Sequence, residues 1–290
     1  MVDKFGLQHG PVQVRIFRPC EALQSYLTFF YFVEADGPLV DFLYPEWGNV
    51  RFARAGTWSI VMPGHYPPGP QGQHLYGPTD RTGRVESEGG QIFGFGLTPI
   101  GWVRLFGSHA DKMVNRVAPL ENRLGVSDAE LHRRVAEASD EAALVLHFEQ
   151  MLTALIAQRP TVKPAVLSVD QALRKRPATA TAFARSAGLT YRILHRICLQ
   201  SFGFPPKRLL RLQRFLDALG HVRTAVGDPV NEAIGETYFD ASHFYRDFRE
   251  FMAMSPREYF SAPRPLMAAA AQAQVEAGVT LSFELPPAPR

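Results

Sequence analysis

Arg192, His195, Arg196 and Leu199 recur at i, i+3, i+4 and i+7, and so do Ser242, Tyr245, Arg246 and Arg249 about 50 residues on. On an α-helix that spacing puts each set on one face. A guanidinium displayed in this way carries fixed N–H donors and no acceptor, which suits bidentate binding of a guanine edge or a phosphate. Imidazole, hydroxyl and phenol groups beside it donate or accept, and so refine the choice among bases. Lys207, Arg208, Arg211, Arg214, Arg249 and Arg257 add cations that suit phosphate, although a solvated charged face explains them equally well.

Such side chains need rigid elements to aim them. In residues 179–203 the first helix, about 180–187, has Phe183, Ala184 and Ala187 on one face, and Gly188 supplies the turn that ends it. Thr190 caps a second helix, about 191–202, whose inner face is Leu194, Ile197, Cys198 and Phe202. Helix, tight turn, helix with a basic outer face is the grammar of a helix-turn-helix, whose second helix reaches base edges. The grammar repeats at 230–251. There Val230, Ala233, Ile234 and Thr237 form an inner face, Asp240 is the cap, and Phe244, Phe248 and Phe251 point inward. Between the two units, Leu209, Leu212, Leu216 and Leu219 predict one joining helix. The repetition with matching caps argues against an incidental charged face.

The segments LTYRILHRICLQSFGFPPKRLLR and YFDASHFYRDFREFMAMSPREYF resemble the two motifs of the AraC/XylS family of bacterial transcription regulators. The second, with DASHFYRDF and MSPREY, is the more specific, and the resemblance covers about 168–260. It implies that Arg192, His195 and Arg196 lie on the base-facing side of the first recognition helix, and Ser242, Tyr245 and Arg246 on that of the second. Three positions depart from the family pattern: Cys198 stands where phenylalanine is usual, and Thr237 and Ala253 stand where glycine is usual. The last two bear on turn geometry. More loosely, residues 1–125 are similar to the cupin-like sensory domains of a subset of these regulators, through YPEWGNVRFARAG (44–56), the GH-x-PPGP stretch (64–70) and GFGLTPIGWVRLFG (94–107).

Charge follows the same division. Residues 1–167 carry −2, residues 168–260 carry +5 and residues 261–290 carry 0, so the basic excess lies in the helical stretch. Residues 12–106 read as β-rich. VQVRIF (12–17), YLTFFYFVEA (26–35), VRFARA (50–55), TWSIVM (57–62) and GQIFGFGL (90–97) are separated by turn clusters that include EGG at 88–90. Helices are predicted at 99–107, from Ser127 to about 138, and at 141–158 with Asp140 as its cap. RPTVKP (159–164) reads as a linker. The Ala- and Pro-rich residues 261–290 are expected to be mostly disordered, with a nascent helix at 266–276.

With 290 residues, 46% of them hydrophobic, the chain is long enough for real cores, and two cysteines make no disulfide framework or zinc site. The start lacks the apolar run of a secretory signal, and no stretch approaches a membrane span. No nucleophile elbow, phosphate loop, HExxH or CxxC is present, and His65 and His74 lack the His-x-His pair of a metal-binding cupin. Phe29, Phe30, Tyr31, Phe32, Phe42, Tyr44, Trp47, Phe93, Phe95 and Trp102 suit a β-domain core, with a subset available to line an apolar effector pocket.

The expected fold is α+β: a β-rich sandwich or barrel, connecting helices, and an all-α domain of two helix-turn-helix motifs joined by a long helix. The expected domains are 1–125 (sensory), 126–160 (connector or dimerisation helices), 168–260 (DNA binding) and 261–290 (tail). The expected function is sequence-specific DNA binding in transcription regulation, with two recognition helices in consecutive major grooves and control by a small molecule. The sites are Arg192, His195, Arg196, Ser242, Tyr245 and Arg246 for DNA, and Lys207, Arg208 and Arg249 for phosphate. No catalytic residue, metal or cofactor is expected. The expected partner is double-stranded DNA, in the cytoplasm and away from membranes; an effector, RNA polymerase and a second copy of the chain are further candidates. The rivals are an enzyme with its active site in the β-domain and a protein-interaction module.

Overall fold

The computed structural model describes residues 11–62, 73–224, 238 and 240–279. The first helix of the second motif, Thr237, His65 and the stretch 64–70 lie outside the described residues. Seven antiparallel strands form one sheet: β1 (Val12–Phe17), β2 (Leu27–Ala35), β3 (Leu39–Leu43), β4 (Asn49–Val61), β5 (Gln73–Tyr76), β6 (Gly83–Leu97) and β7 (Val117–Pro119). The order is β1-β2-β6-β4-β5-β7, and β3 pairs with the first part of β6. The two segments expected at 50–55 and 57–62 are one strand, β4. The expected turn at 88–90 lies inside β6.

The reason is a pair of facing irregularities. Gly56 and Gly90 pair across the two long strands with φ of +72° and +121°. A Cβ on Gly56 would stand 1.9 Å from the Gly89 carbonyl oxygen, and one on Gly90 would stand 2.1 Å from that of Ala55. Only glycine fits there, and the register shift beside it lets both strands bend without ending.

Strand β2 is apolar at nearly every position because both its faces are covered, and successive side chains point to opposite faces. Phe30 and Phe32 join Phe52, Phe93 and Phe95 in a cluster covered by helices α1 (Pro99–Phe106), α2 (Asp128–Glu137) and α3 (Glu141–Gln158). The Phe148 ring of α3 meets Phe93 edge-on with centroids 4.9 Å apart. Thr98, Ser127 and Asp140 cap the three helices, each accepting a backbone N–H of the first turn.

Phe29, Tyr31 and Val33 face the other way, into a second cluster with Trp58, Ile60, Val85 and Ile92. The helical region follows: α4 (Pro164–Arg174), α5 (Ala180–Ser186), α6 (Tyr191–Ile197), α7 (Pro206–Thr224), α8 (Ala241–Met252), α9 (Pro256–Ser261) and α10 (Pro265–Ala277). Helix α10 covers the nascent helix expected at 266–276, but it is docked on the sheet. It buries Leu266 in the second cluster, and its ends are held by side chains of the sheet region. The Asp41 carboxylate accepts the Met267 N–H at 2.8 Å, and the Arg18 guanidinium donates to the carbonyls of Ala277 and Gly278 at 2.7 and 2.6 Å. An anion at the first turn and a cation at the last complement the helix dipole. The cover that β2 needs on this face is supplied from the far end of the chain.

The helical region is seated on the sheet region. Tyr44, Trp47 and Ile100 belong to the same buried cluster as Phe183, Leu194, Phe202, Leu209 and Phe248. Tyr259 donates its hydroxyl to that of Tyr44 at 2.7 Å, Thr82 N–H donates to the Phe251 carbonyl at 2.7 Å, and His109 N–H to that of Gln200 at 2.8 Å.

Candidate nucleic-acid interface and the cavity behind it

Helix α5 starts on Thr179, whose hydroxyl accepts the Ala182 N–H, and is followed by Gly188 at φ +67°. Helix α6 starts on Thr190, whose hydroxyl accepts the Ile193 N–H. Leu194, Ile197, Cys198 and Phe202 are buried, which turns the opposite face outward. Arg192 and Arg196 are exposed, and His195 is half-buried with its ring 6.0 Å from that of Tyr191. Beyond Ile197 the helix widens into a π-turn, Cys198–Phe202, which ends at Gly203 with φ +85°. That turn is where the sheet region grips the motif, through Trp47 against Phe202.

Helix α8 starts on Asp240, whose side chain accepts the His243 N–H at 2.9 Å. That bond and the neighbouring His243 ring hold the Asp240 carboxyl below the usual range. His243 is exposed and pairs with Asp240. Phe244, Phe248 and Phe251 are buried, and Ser242, Tyr245, Arg246 and Arg249 are exposed. Inward-facing Asp247 ties the helix to its support, accepting from Arg211 Nε at 2.7 Å and from the Tyr238 hydroxyl at 2.8 Å. Ala253 ends α8 in the left-handed conformation, φ +56°. This is a position where the family pattern has glycine, and the alanine Cβ costs about 1–2 kcal/mol in that conformation. Helix α9 then starts on a capping box between Ser255 and Glu258.

The arginines of the helical region fall into two groups. Arg192, Arg196, Arg246 and Arg249 are exposed, and among the described residues no carboxylate pairs with them. Arg211 is held by Asp247 and Glu250, which keep its charged form favoured against partial burial. Arg208, offered by the sequence as a phosphate contact, is placed elsewhere. Its Nε donates to Asp80 at 2.7 Å, its Nη1 pairs with Glu250, and the group lies 4.4 Å over the Phe251 ring. With both flanks taken by carboxylates it bridges the sheet and the helical region. Lys207, beside it, is exposed.

Between the sheet and α10 lies a cavity of about 110 Å³. Phe29, Tyr31 and Trp58 from the sheet line one side, and Leu266, Met267, Ala270 and Gln274 of α10 line the other. Its polar corner is internally paired: Arg51 is ion-paired with Glu46 and donates to the Tyr31 hydroxyl at 2.9 Å, which donates to Asn49 at 2.8 Å. The buried Trp58 indole N–H has no partner among the described residues. Of the expected aromatic set, Phe29, Tyr31 and Tyr44 line the cavity, while Phe30, Phe32, Phe93, Phe95 and Trp102 belong to the opposite cluster. Arg51 and Trp58 were not foreseen; the unbroken apolar run of β2, which demands a cover on both faces, was the available signal. Burial lowers the His74 pKa and raises that of the Cys198 thiol. Cys20 is exposed, and its thiol is also raised, first by partial desolvation and then by the Glu149 carboxylate. Among the described residues no group of three His, Cys, Asp or Glu side chains could hold a metal ion, and no helix is long and apolar enough to cross a membrane.

Residues 183–262 match a family model described as a helix-turn-helix domain. The chain thus carries an AraC-type helix-turn-helix domain and is a DNA-binding transcription regulator with a β-rich N-terminal region. No curated protein matches it. Among solved structures it is similar to ToxT from Vibrio cholerae, at 11% identity over 88% of this chain and 99% of that one, with a TM-score of 0.45. It is also similar to the AraC-like transcriptional activator CuxR, at 14% identity over 71% and 86% of the two chains, with a TM-score of 0.27.

Proposed function

We propose that the protein regulates transcription by reading a specific duplex site with α6 and α8, each entering one of two consecutive major-groove segments. The observation that carries this reading is the exposed guanidinium set on two capped helices, without a carboxylate partner among the described residues, while the neighbouring Arg208 and Arg211 are neutralised. Arg192, Arg196 and Arg246 make the bidentate guanine contacts, and His195, Ser242 and Tyr245 refine the sequence. Lys207 and Arg249 hold phosphates and make affinity fall with salt. In this reading the protein acts by binding and catalyses nothing. It works in the cytoplasm, and RNA polymerase and a second copy of the chain are its further partners.

A small-molecule effector occupies the cavity between the sheet and α10. It acts by preferring one seating of the helical region over another, since a ligand without such a preference shifts nothing. Selection of bound fragments from random duplex DNA tests the first part. The recovered motif should span two groove segments about 34 Å apart. Arg246→Ala should weaken specific binding by about 1–3 kcal/mol and leave random DNA nearly unaffected. Equal losses on both would remove Arg246 from base reading.

A further inference from the structure

The cavity is small. At about 110 Å³ it falls well short of the roughly 300–1,000 Å³ of ordinary ligand sites. The missing space is filled by the side chains of α10, with Leu266 buried against the sheet and Met267, Ala270 and Gln274 forming the wall. Helix α10 therefore sits where most of a ligand would lie.

Its attachment is of an unusual kind. Apart from Leu266 and Ala273, its residues are half-buried or exposed. It is latched at its ends, by Asp41 on the Met267 N–H and by Arg18 on the last carbonyls. It follows α9 after only three residues, Ala262 to Arg264, and the Arg264 guanidinium lies 4.8 Å over the Tyr259 ring beside the Tyr259–Tyr44 contact.

Resting on the effector reading above, we propose that α10 is a built-in plug, displaced by the ligand that this cavity takes. The lining fixes the chemistry of that ligand. Aromatic and aliphatic walls call for an apolar body. Arg51 is already neutralised by Glu46, so no net charge waits for a carboxylate or a phosphate. On the sheet wall Trp58 carries a buried indole N–H, a donor with no partner among the described residues. The ligand is an uncharged, largely apolar small molecule with a single hydrogen-bond acceptor such as a carbonyl. Anything larger than the residual cavity enters only as α10 leaves. Leaving draws Arg264 away from the junction with the helical region, so ligand entry and the seating of the DNA-binding helices are one equilibrium.

The experiment uses the full chain and 6-propionyl-2-(dimethylamino)naphthalene, an uncharged fluorescent ketone too large for the residual space. Its affinity is measured by fluorescence titration for wild type, Arg18→Ala, Trp58→Phe and Val14→Trp, with hydrogen exchange of residues 265–277 followed in parallel. Arg18 is exposed, so its loss opens the latch without emptying a core. The plug requires that Arg18→Ala tighten binding by about threefold or more, and that the probe speed exchange across 265–277 in wild type. Trp58→Phe should weaken binding several-fold, and Val14→Trp, which fills the site from the sheet side that stays in place, should abolish it. Equal affinity for wild type and Arg18→Ala, with exchange in α10 unchanged by the probe, would overturn the plug and leave the cavity standing as a ligand site. Binding that survives Val14→Trp would place the probe elsewhere and overturn the proposal. Absence of binding to every variant, the unlatched one included, would refute the effector reading and the plug with it.

Discussion

The two faces of the sheet are built from alternate residues of the same strands, yet they are finished differently. On one face Phe30, Phe32, Phe52, Phe93, Phe95 and Phe148 are at most 1% exposed and interlock ring on ring. Helices that follow within the next 60 or so residues cover it. On the other face Tyr31, Trp58 and Ile60 meet a helix from the end of the chain, and a cavity remains between them. A face packed to the density of a crystal can only hold the fold together. A face closed by a helix latched at its ends can exchange that helix for something else.

The largest expected effect tests the packed face. Phe93→Ala should destabilise the protein by about 3–5 kcal/mol in a urea titration, because the surrounding rings cannot collapse into the space. A loss near 1 kcal/mol would mean that this face is as loosely filled as the other.

Next comes the pH dependence of the latched face. Burial pushes the Asp41 carboxyl up to about 6, against the backbone N–H bonds from Met267 and Phe42 and the charge of Arg264, which pull it down. A carboxyl raised in the folded state binds its proton more tightly there. Its contribution is therefore fully present below about pH 4 and is lost as pH rises through about 6. The stability of wild type minus that of Asp41→Asn should fall by roughly 1–3 kcal/mol between those limits, read from denaturant melts at a series of pH values. A flat difference would mean that Asp41 keeps its charge when docked.

The smallest effect separates the faces by contrast. Trp58→Phe should change stability by no more than about 1 kcal/mol, since it removes an unpaired buried donor while keeping an aromatic ring. A cost approaching that of Phe93→Ala would erase the distinction between a structural and a receptive face.

What could be read from the sequence was whatever is local. Caps such as Thr190, Asp140 and Asp240 announce helices because they satisfy donors two or three residues away, and the structure has all three in that role. The outward faces of α6 and α8 follow from helical period, which needs no knowledge of the rest of the chain. The failures are non-local. Gly89 and Gly90 read as a turn because a glycine pair looks the same in a turn as in a strand that must pass close to Gly56. Arg208 read as a phosphate contact because its partner Asp80 lies 128 residues upstream. Helix α10 read only as a nascent helix at 266–276 in a mostly disordered tail, because its alanines show no face that must dock. Its structure is dictated by an uncovered strand face and by Arg18, some 260 residues away.

That Arg18 and Asp41 fasten α10 has a consequence for how the protein is made. A chain synthesised from its N-terminus can finish the phenylalanine-rich face as soon as α3 has emerged from the ribosome, but the opposite face stays bare until Ala277 is free. A product cut short by premature termination would keep its sheet and its helix-turn-helix motifs and still display Trp58 and Ile60 to chaperones and proteases. The cell would thus have, in this one helix, a means of recognising copies whose synthesis had passed Ala277.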